Sequence, residues 1–115
     1  MNYLITGGTG FLGSHLVERL LRDNKNKITV VTTSIRNKNS IKMLNIDRDK
    51  INLVQGDVRN FEFIRMLFNE YEFDIIFHLS AVSEVRKCQN DAKLAYDTNV
   101  SGTINVLECA RFMEI

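Results

Sequence analysis

The sequence predicts an α/β fold: a three-layer, doubly wound parallel sheet of about four strands in spatial order 3-2-1-4, with helices on both faces. Three observations carry this. Short β-type runs alternate with runs of helical period, and strands separated by helices imply right-handed crossovers and a parallel sheet covered on both sides. The first strand runs straight into a glycine-rich turn, and a helical apolar pattern follows at once. Finally, 115 residues with 44% hydrophobic and 25% charged content suit one ordinary globular domain and are too few for two.

The strands are expected at Tyr3 to Thr6, Ile28 to Thr32, Ile51 to Gln55 and Asp74 to Leu79, which have strand length and β-branched or aromatic content. Leu12, Leu16 and Leu20, with Val17 and Leu21 beside them, mark the apolar face of the first helix. A second helix falls within Asn37 to Ile46. Phe61, Ile64, Phe68 and Tyr71 define a third, and Val100, Ile104, Leu107 and Ala110 the last. No internal repeat, low-complexity tract or linker interrupts this alternation.

Composition excludes several classes of function. Fifteen Lys+Arg against fourteen Asp+Glu give a net charge of +1, which removes the bulk electrostatic argument for binding nucleic acid or a membrane surface. No apolar run approaches the roughly 20 residues of a membrane span. The first ten residues lack the basic start and apolar stretch of a signal peptide, so a cytoplasmic location is expected. Cys88 and Cys109 have no CxxC partner and no histidine at metal-ligand spacing, and they read as reduced thiols, Cys109 as small core filler. From Arg22 to Lys50 the local balance is 8 Lys/Arg − 3 Asp/Glu = +5, mostly a solvated surface.

The glycine turn Thr6-Gly7-Gly8-Thr9-Gly10-Phe11-Leu12-Gly13 carries chemistry through its context. A dinucleotide pyrophosphate needs backbone N–H groups at a helix N-terminus, a tight turn leading there, and no Cβ where phosphate meets backbone. Gly7 supplies the turn, Gly10 the close approach, and Gly13 the packing of helix on strand. A frame starting at Gly8 also satisfies G-x-G-x-x-G, so spelling alone leaves the frame open.

With these residues in place, TGGTGFLGSHL resembles the opening of the extended short-chain dehydrogenase/reductase family, the NAD(P)-dependent epimerases and dehydratases of nucleotide sugars, whose cofactor domain is a Rossmann fold. Three further segments agree in order: Gln55-Gly56-Asp57-Val58-Arg59 resembles the GD[IVL]R element, Phe77-His78-Leu79-Ser80-Ala81 the HLAA element, and Asp97-Thr98-Asn99-Val100-Ser101-Gly102-Thr103 the TNVxGT helix start. The resemblance covers nearly the whole chain. It implies that Gly7, Gly10, Phe11, Leu12 and Gly13 hold a pyrophosphate, Asp57 and Val58 an adenine, and Leu79, Ser80, Ala81 and Asn99 the nicotinamide side. Residue chemistry leaves alternatives open: Asp57 also reads as the cap of a helix starting near Asn60, and Asn99 as a holder of the strand-4 loop or a helix cap. His15 and His78 lack companions for catalysis or metal binding and read as structural.

Two departures qualify the resemblance. Where an NAD site carries Asp or Glu at the end of strand 2, this chain has Thr32, followed by Thr33, Ser34, Ile35, Arg36 and, two on, Lys38. Hydroxyls and a guanidinium suit a 2′-phosphate, so Thr32, Thr33 and Arg36 are assigned to the adenine ribose and NADP(H) is preferred, with NAD(H) admissible. The alternative leaves Arg36 and Lys38 in solvent. The second departure is the Tyr-x-x-x-Lys catalytic pair: four residues after Tyr3, Tyr71 and Tyr96 stand Gly7, Ile75 and Val100. Residues 1–115 therefore read as an NAD(P)-binding domain without strand 5 or a substrate domain, with no catalytic residue and no metal site. A nucleotide-sugar substrate is expected only in a longer parent protein. The alternatives are a non-catalytic dinucleotide sensor, or a half-domain that self-associates through its fourth strand.

Overall fold

The computed structural model describes residues 1–34 and 46–115. Four strands, β1 (Asn2–Thr6), β2 (Lys27–Thr32), β3 (Asn52–Gln55) and β4 (Ile75–His78), form one parallel sheet in the order β3-β2-β1-β4. Register is continuous: Tyr3 to Thr6 pair with Ile28 to Val31 on one side and with Ile75 to His78 on the other. Helices α1 (Phe11–Leu20), α2 (Phe61–Glu70), α3 (Val85–Asn90), α4 (Ala92–Tyr96) and α5 (Gly102–Phe112) follow in chain order. Fold class, strand order and all four strand positions agree with the sequence reading. Of the helix expected within Asn37 to Ile46, all but Ile46 lies outside the described residues, as do Arg36 and Lys38.

The alternation of β1 divides the core into two layers. Tyr3 and Ile5 face α1, packing with Val17, Ile28, Val30 and Ile51. Leu4 points the other way, into Val31, Val58, Ile64, Leu67, Phe68, Phe73, Val106 and Cys109, beneath α2 and α5. Leu4, Ile5, Val30 and Ile64 are completely buried; each contributes about 1.5–3 kcal/mol of transfer free energy. Strands apolar on both faces are what a parallel sheet with two helical layers requires.

Local signals fix the helix ends. The Asn60 side chain accepts from the Phe63 N–H at 3.1 Å and starts α2. Asp91 does the same for α4 through the Leu94 N–H at 3.0 Å. Between α4 and α5, Asp97–Ser101 form a π-helical turn, and Tyr96, Asp97, Ser101 and Gly102 all keep right-handed helical backbone angles. Residues 92–112 are thus one helix carrying a single widened turn.

Two expectations need correction. Of the face marked by Val100, Ile104, Leu107 and Ala110, the first three point outward, at 52%, 57% and 62% exposure, while Ala110 packs inward with Gly102, Val106 and Cys109. Val100, Ile104 and Leu107 keep one face through the π turn, and that face is apolar without being the one that packs on the sheet, so apolar period alone selects the wrong side. The stretch after β4, for which the sequence reading names only a loop, carries further helices. It holds α3 and α4, short helices in a polar stretch with no apolar period to announce them.

Candidate functional site

All four strands point their C-terminal ends at one edge of the sheet, the edge where open parallel sheets bind ligands. A cleft of about 440 Å³ opens there, lined by Gly7, Thr9 and Gly10 after β1, Val31 to Thr33 after β2, Gly56 to Arg59 after β3, Ser80 to Val82 after β4, and Lys87, Leu94 and Thr98 from the helical exit.

The glycine turn is shaped by close backbone approach. Gly7 has a left-handed φ of 70°, and a Cβ there would stand 2.8 Å from the Leu79 carbonyl carbon and 2.9 Å from the Ser80 nitrogen. A Cβ on Gly13 would collide with the Gly7 carbonyl, which is why helix and turn can close together. At Gly10 an added Cβ meets only the Gly7 oxygen, at 3.3 Å. Gly10 caps α1 without any side-chain hydrogen bond, and no acid stands in the first turn. The helix therefore presents its first-turn N–H groups and positive dipole end without the side-chain acceptor that closes α2 and α4.

Behind the turn, the loop after β4 is held from two sides. Thr6 Oγ1 accepts from the Leu79 and Ser80 N–H groups at 3.1 and 3.2 Å, and lies 2.7 Å from His78 Nδ1. Asn99 spans to Val82, its Oδ1 accepting from the Val82 N–H at 2.7 Å and its Nδ2 donating to the Val82 oxygen at 2.8 Å. Of the alternatives open for Asn99, its contacts are those of a loop holder. Burial pushes the His78 imidazole below its ordinary pKa.

At the other end, Thr32 is turned upon its own chain. Its hydroxyl donates to the Ser34 oxygen at 3.2 Å and accepts from the Ser34 N–H at 3.3 Å, so the 3.1 Å contact with Thr9 is donated by Thr9. Asp57 is engaged by Arg59, whose guanidinium holds the carboxyl below the usual range.

The cleft brings together Gly7, Gly10, Thr32, Thr33, Asp57, Val58, Ser80 and Ala81 from the sequence reading. Phe11 and Leu12 stand at the mouth of the turn with exposed side chains; Gly13 lies beneath it, and Leu79 packs into the α1-side core. The sequence reading assigns no site role to the other lining residues, Thr9, Val31, Gly56, Arg59, Val82, Lys87, Leu94 and Thr98. Arg59 ends the Gln55-Gly56-Asp57-Val58-Arg59 segment, and its spacing of two from Asp57 is the available signal. Lys87 sits on α3, which no periodicity announced.

A sequence profile describing GDP-mannose 4,6 dehydratase matches residues 4–115. The chain belongs to this family. Similar proteins include a UDP-glucose 4-epimerase of Mycolicibacterium smegmatis, 32% identical over 96% of the chain and 35% of that protein. A dTDP-glucose 4,6-dehydratase of Salmonella typhimurium is 29% identical over 96% of the chain and 31% of that protein. Among solved structures, the Thermus thermophilus UDP-glucose 4-epimerase in complex with NAD superposes with a TM-score of 0.82 at 28% identity, over 100% of the chain and 35% of its own. The family is thus one of nucleotide-sugar epimerases and dehydratases, and the chain spans about a third of the length of these relatives. No helix among the described residues is long and apolar enough to cross a membrane.

Proposed function

We propose that these residues form the dinucleotide-binding part of a nucleotide-sugar epimerase or dehydratase. The observation that carries the reading is the α1 N-terminus: an uncapped helix end behind a left-handed Gly7, opening on a cleft where a Cβ at Gly10 would project almost unopposed. The cradle fits a dinucleotide because backbone donors, a gap in side-chain bulk and flanking polar groups meet along one cleft. Gly7, Gly10, Phe11, Leu12 and Gly13 would hold the pyrophosphate, Thr32, Thr33 and Arg36 the adenine ribose, Asp57 and Val58 the adenine, and Leu79, Ser80, Ala81 and Asn99 the nicotinamide side. When bound, the nicotinamide supplies a hydride acceptor and donor for a sugar carbon. The residues here bind and orient it.

The sequence contains no Tyr-x-x-x-Lys pair, so the 115 residues alone are proposed to bind cofactor without turning over a nucleotide sugar. NADP(H) over NAD(H) is the finer reading. It rests on the lack of a carboxylate at Thr32 and on Arg36; the self-paired Thr32 hydroxyl and the relatives crystallised with NAD weigh on the other side. Calorimetric titration with NADPH and then NADH, at one salt concentration, tests both levels. Saturable binding supports the cradle, and the tighter of the two ligands decides the ribose assignment. A folded chain that binds neither overturns the reading.

A further inference from the structure

Among the described residues the cleft is lined by three charged side chains, Asp57, Arg59 and Lys87. Asp57 and Arg59 are paired at 2.7 Å, and their charges cancel at the β3 end. Lys87 has no such partner: none of the described carboxylates forms an ion pair with it. The wall that carries it is built toward the cleft. Helices α3 and α4 bury no residue, and Val82 and Leu94, both half-buried, pack into neither core layer but line the cleft instead. Local contacts hold this wall in place. Asn99 grips Val82 through both of its amide atoms, and Cys88 Sγ lies 3.4 Å from the Val82 oxygen. The Cys88 contact folds α3 back on the loop after β4, so Lys87, the residue before it, stands close to Val82. That loop in turn touches the glycine turn, since a Cβ on Gly7 would lie 2.9 Å from the Ser80 nitrogen.

A pyrophosphate brings two negative charges into this cleft. The α1 N-terminus answers them with N–H groups and a dipole but with no full charge, because no basic side chain stands in its first turn. We infer that Lys87 supplies that charge, its ammonium pairing with the pyrophosphate from the α3 side of the cleft while the N-terminus of α1 receives the same group at the glycine turn. The inference rests on the dinucleotide reading and deepens it, and it leaves the glycine turn and the adenine end as assigned. Lysine is a compact point charge on a flexible four-carbon stem. Its contribution is therefore one of charge, which salt screens, whereas a side chain that merely shapes the wall acts equally at every salt concentration.

The test titrates NADH, and ADP-ribose, which keeps the pyrophosphate and lacks the nicotinamide, into the wild-type chain and into Lys87→Gln, Lys87→Arg and Arg86→Gln, at low and at physiological salt, with thermal melts to confirm folding. Arg86 is exposed, adjoins Lys87 in the chain and does not line the cleft, so it controls for charge alone. Lys87→Gln is expected to weaken both ligands by about fivefold at low salt, the size of one partly exposed ion pair, and the loss should shrink as salt rises. Lys87→Arg keeps the charge and should bind within about twofold of the wild type. Arg86→Gln should leave both affinities unchanged. A folded Lys87→Gln that binds as the wild type does overturns the inference. A loss of the same size at both salt concentrations overturns it too, because it marks a structural role, and so does an equal loss in Arg86→Gln, which marks the general field of the surface. A folded wild type that binds neither ligand defeats the dinucleotide reading and the inference with it, a result distinct from a weakened variant.

Discussion

His78 Nε2 lies 3.0 Å from Thr103 Oγ1, joining the last residue of β4 to the start of α5. The proton positions along this contact follow from its neighbours. Thr6 Oγ1 already accepts two backbone N–H groups, so its own proton goes to His78 Nδ1 at 2.7 Å. Nδ1 is then an acceptor, Nε2 carries the ring proton and donates it to Thr103, and the Thr103 hydroxyl donates to the Asn99 carbonyl at 2.6 Å. One chain of hydrogen bonds runs from the end of β1 to the π turn, and it requires a neutral imidazole. A nitrogen-resolved imidazole spectrum should show Nδ1 unprotonated at pH 7.5; a proton there sinks this assignment.

Acidification should loosen the same region. Burial depresses the folded pKa of His78 below its unfolded value near 6.5, so between the two values the unfolded chain binds more protons and stability rises with pH. Stability is therefore expected to be full above about pH 6.5, to fall as pH drops below that unfolded value, and to level off once the folded ring itself protonates. Thermal melts from pH 5 to 8 should show this slope in the wild type and a shallower one in His78→Asn. Equal slopes in both would assign the acid sensitivity to other groups.

Two glycines of the same turn should separate folding from binding. Gly7→Ala meets both a left-handed φ of 70° and the Leu79 backbone at 2.8 Å, and is expected to cost about 2 kcal/mol or more. Gly10→Ala meets only the Gly7 oxygen at 3.3 Å, from an extended backbone, and should cost about 1 kcal/mol or less. Yet its methyl enters the cleft where the pyrophosphate is proposed to sit. Urea unfolding beside cofactor titration checks the contrast: a folded Gly10→Ala with undiminished affinity removes Gly10 from the cradle.

Much of this was legible in the sequence, for reasons visible residue by residue. Strand runs such as Lys27–Thr32 carry their own β-branched signature, and Gly7 and Gly13 are written as glycine because no other residue fits. Thr32 shows the limit: its type suggested a ribose contact, but the partners that occupy its hydroxyl, Ser34 and Thr9, are set by how the loop after β2 folds back. The outward face of α5 was hidden similarly. Ile104 and Leu107 are as apolar as Val106 and Cys109, which pack inward, so residue type does not tell the two faces apart.

The two thiols should differ in reactivity. Cys109 is buried at 6% exposure, and burial pushes its thiol above the ordinary range. Cys88 is half-buried on α3, its Sγ 3.4 Å from the Val82 oxygen. Maleimide labelling of the native chain, read by mass spectrometry, should modify Cys88 well before Cys109. Because Val82 lines the proposed cofactor cleft, saturating dinucleotide should slow the Cys88 reaction. Labelling of Cys109 first would show that α5 opens more readily than its packing implies.

The π turn itself makes the sharpest demand. Asn99 reaches Val82 from within it, while Thr103, four residues on, takes both the His78 ring proton and a place beneath the Asn99 carbonyl. In a regular α-helix each residue turns the axis by about 100°, so removing one residue between Asn99 and Thr103 rotates one contact away from the other. Deletion of Val100, a 52% exposed side chain outside both core layers, restores α-helical register, and the core grip of Val106 and Cys109 keeps the C-terminal half in place. The N-terminal half must then swing, taking Asn99 off Val82. The expected result is a folded chain destabilised by about 2 kcal/mol, the two Asn99 bonds at about 1 kcal/mol each. The Val82 amide should exchange at loop rates, and Asn99→Ala should reproduce that exchange without changing helix content. If deletion of Val100 leaves the Val82 amide protected, the loop is held by Thr6 alone and the widened turn has no part in shaping the cleft.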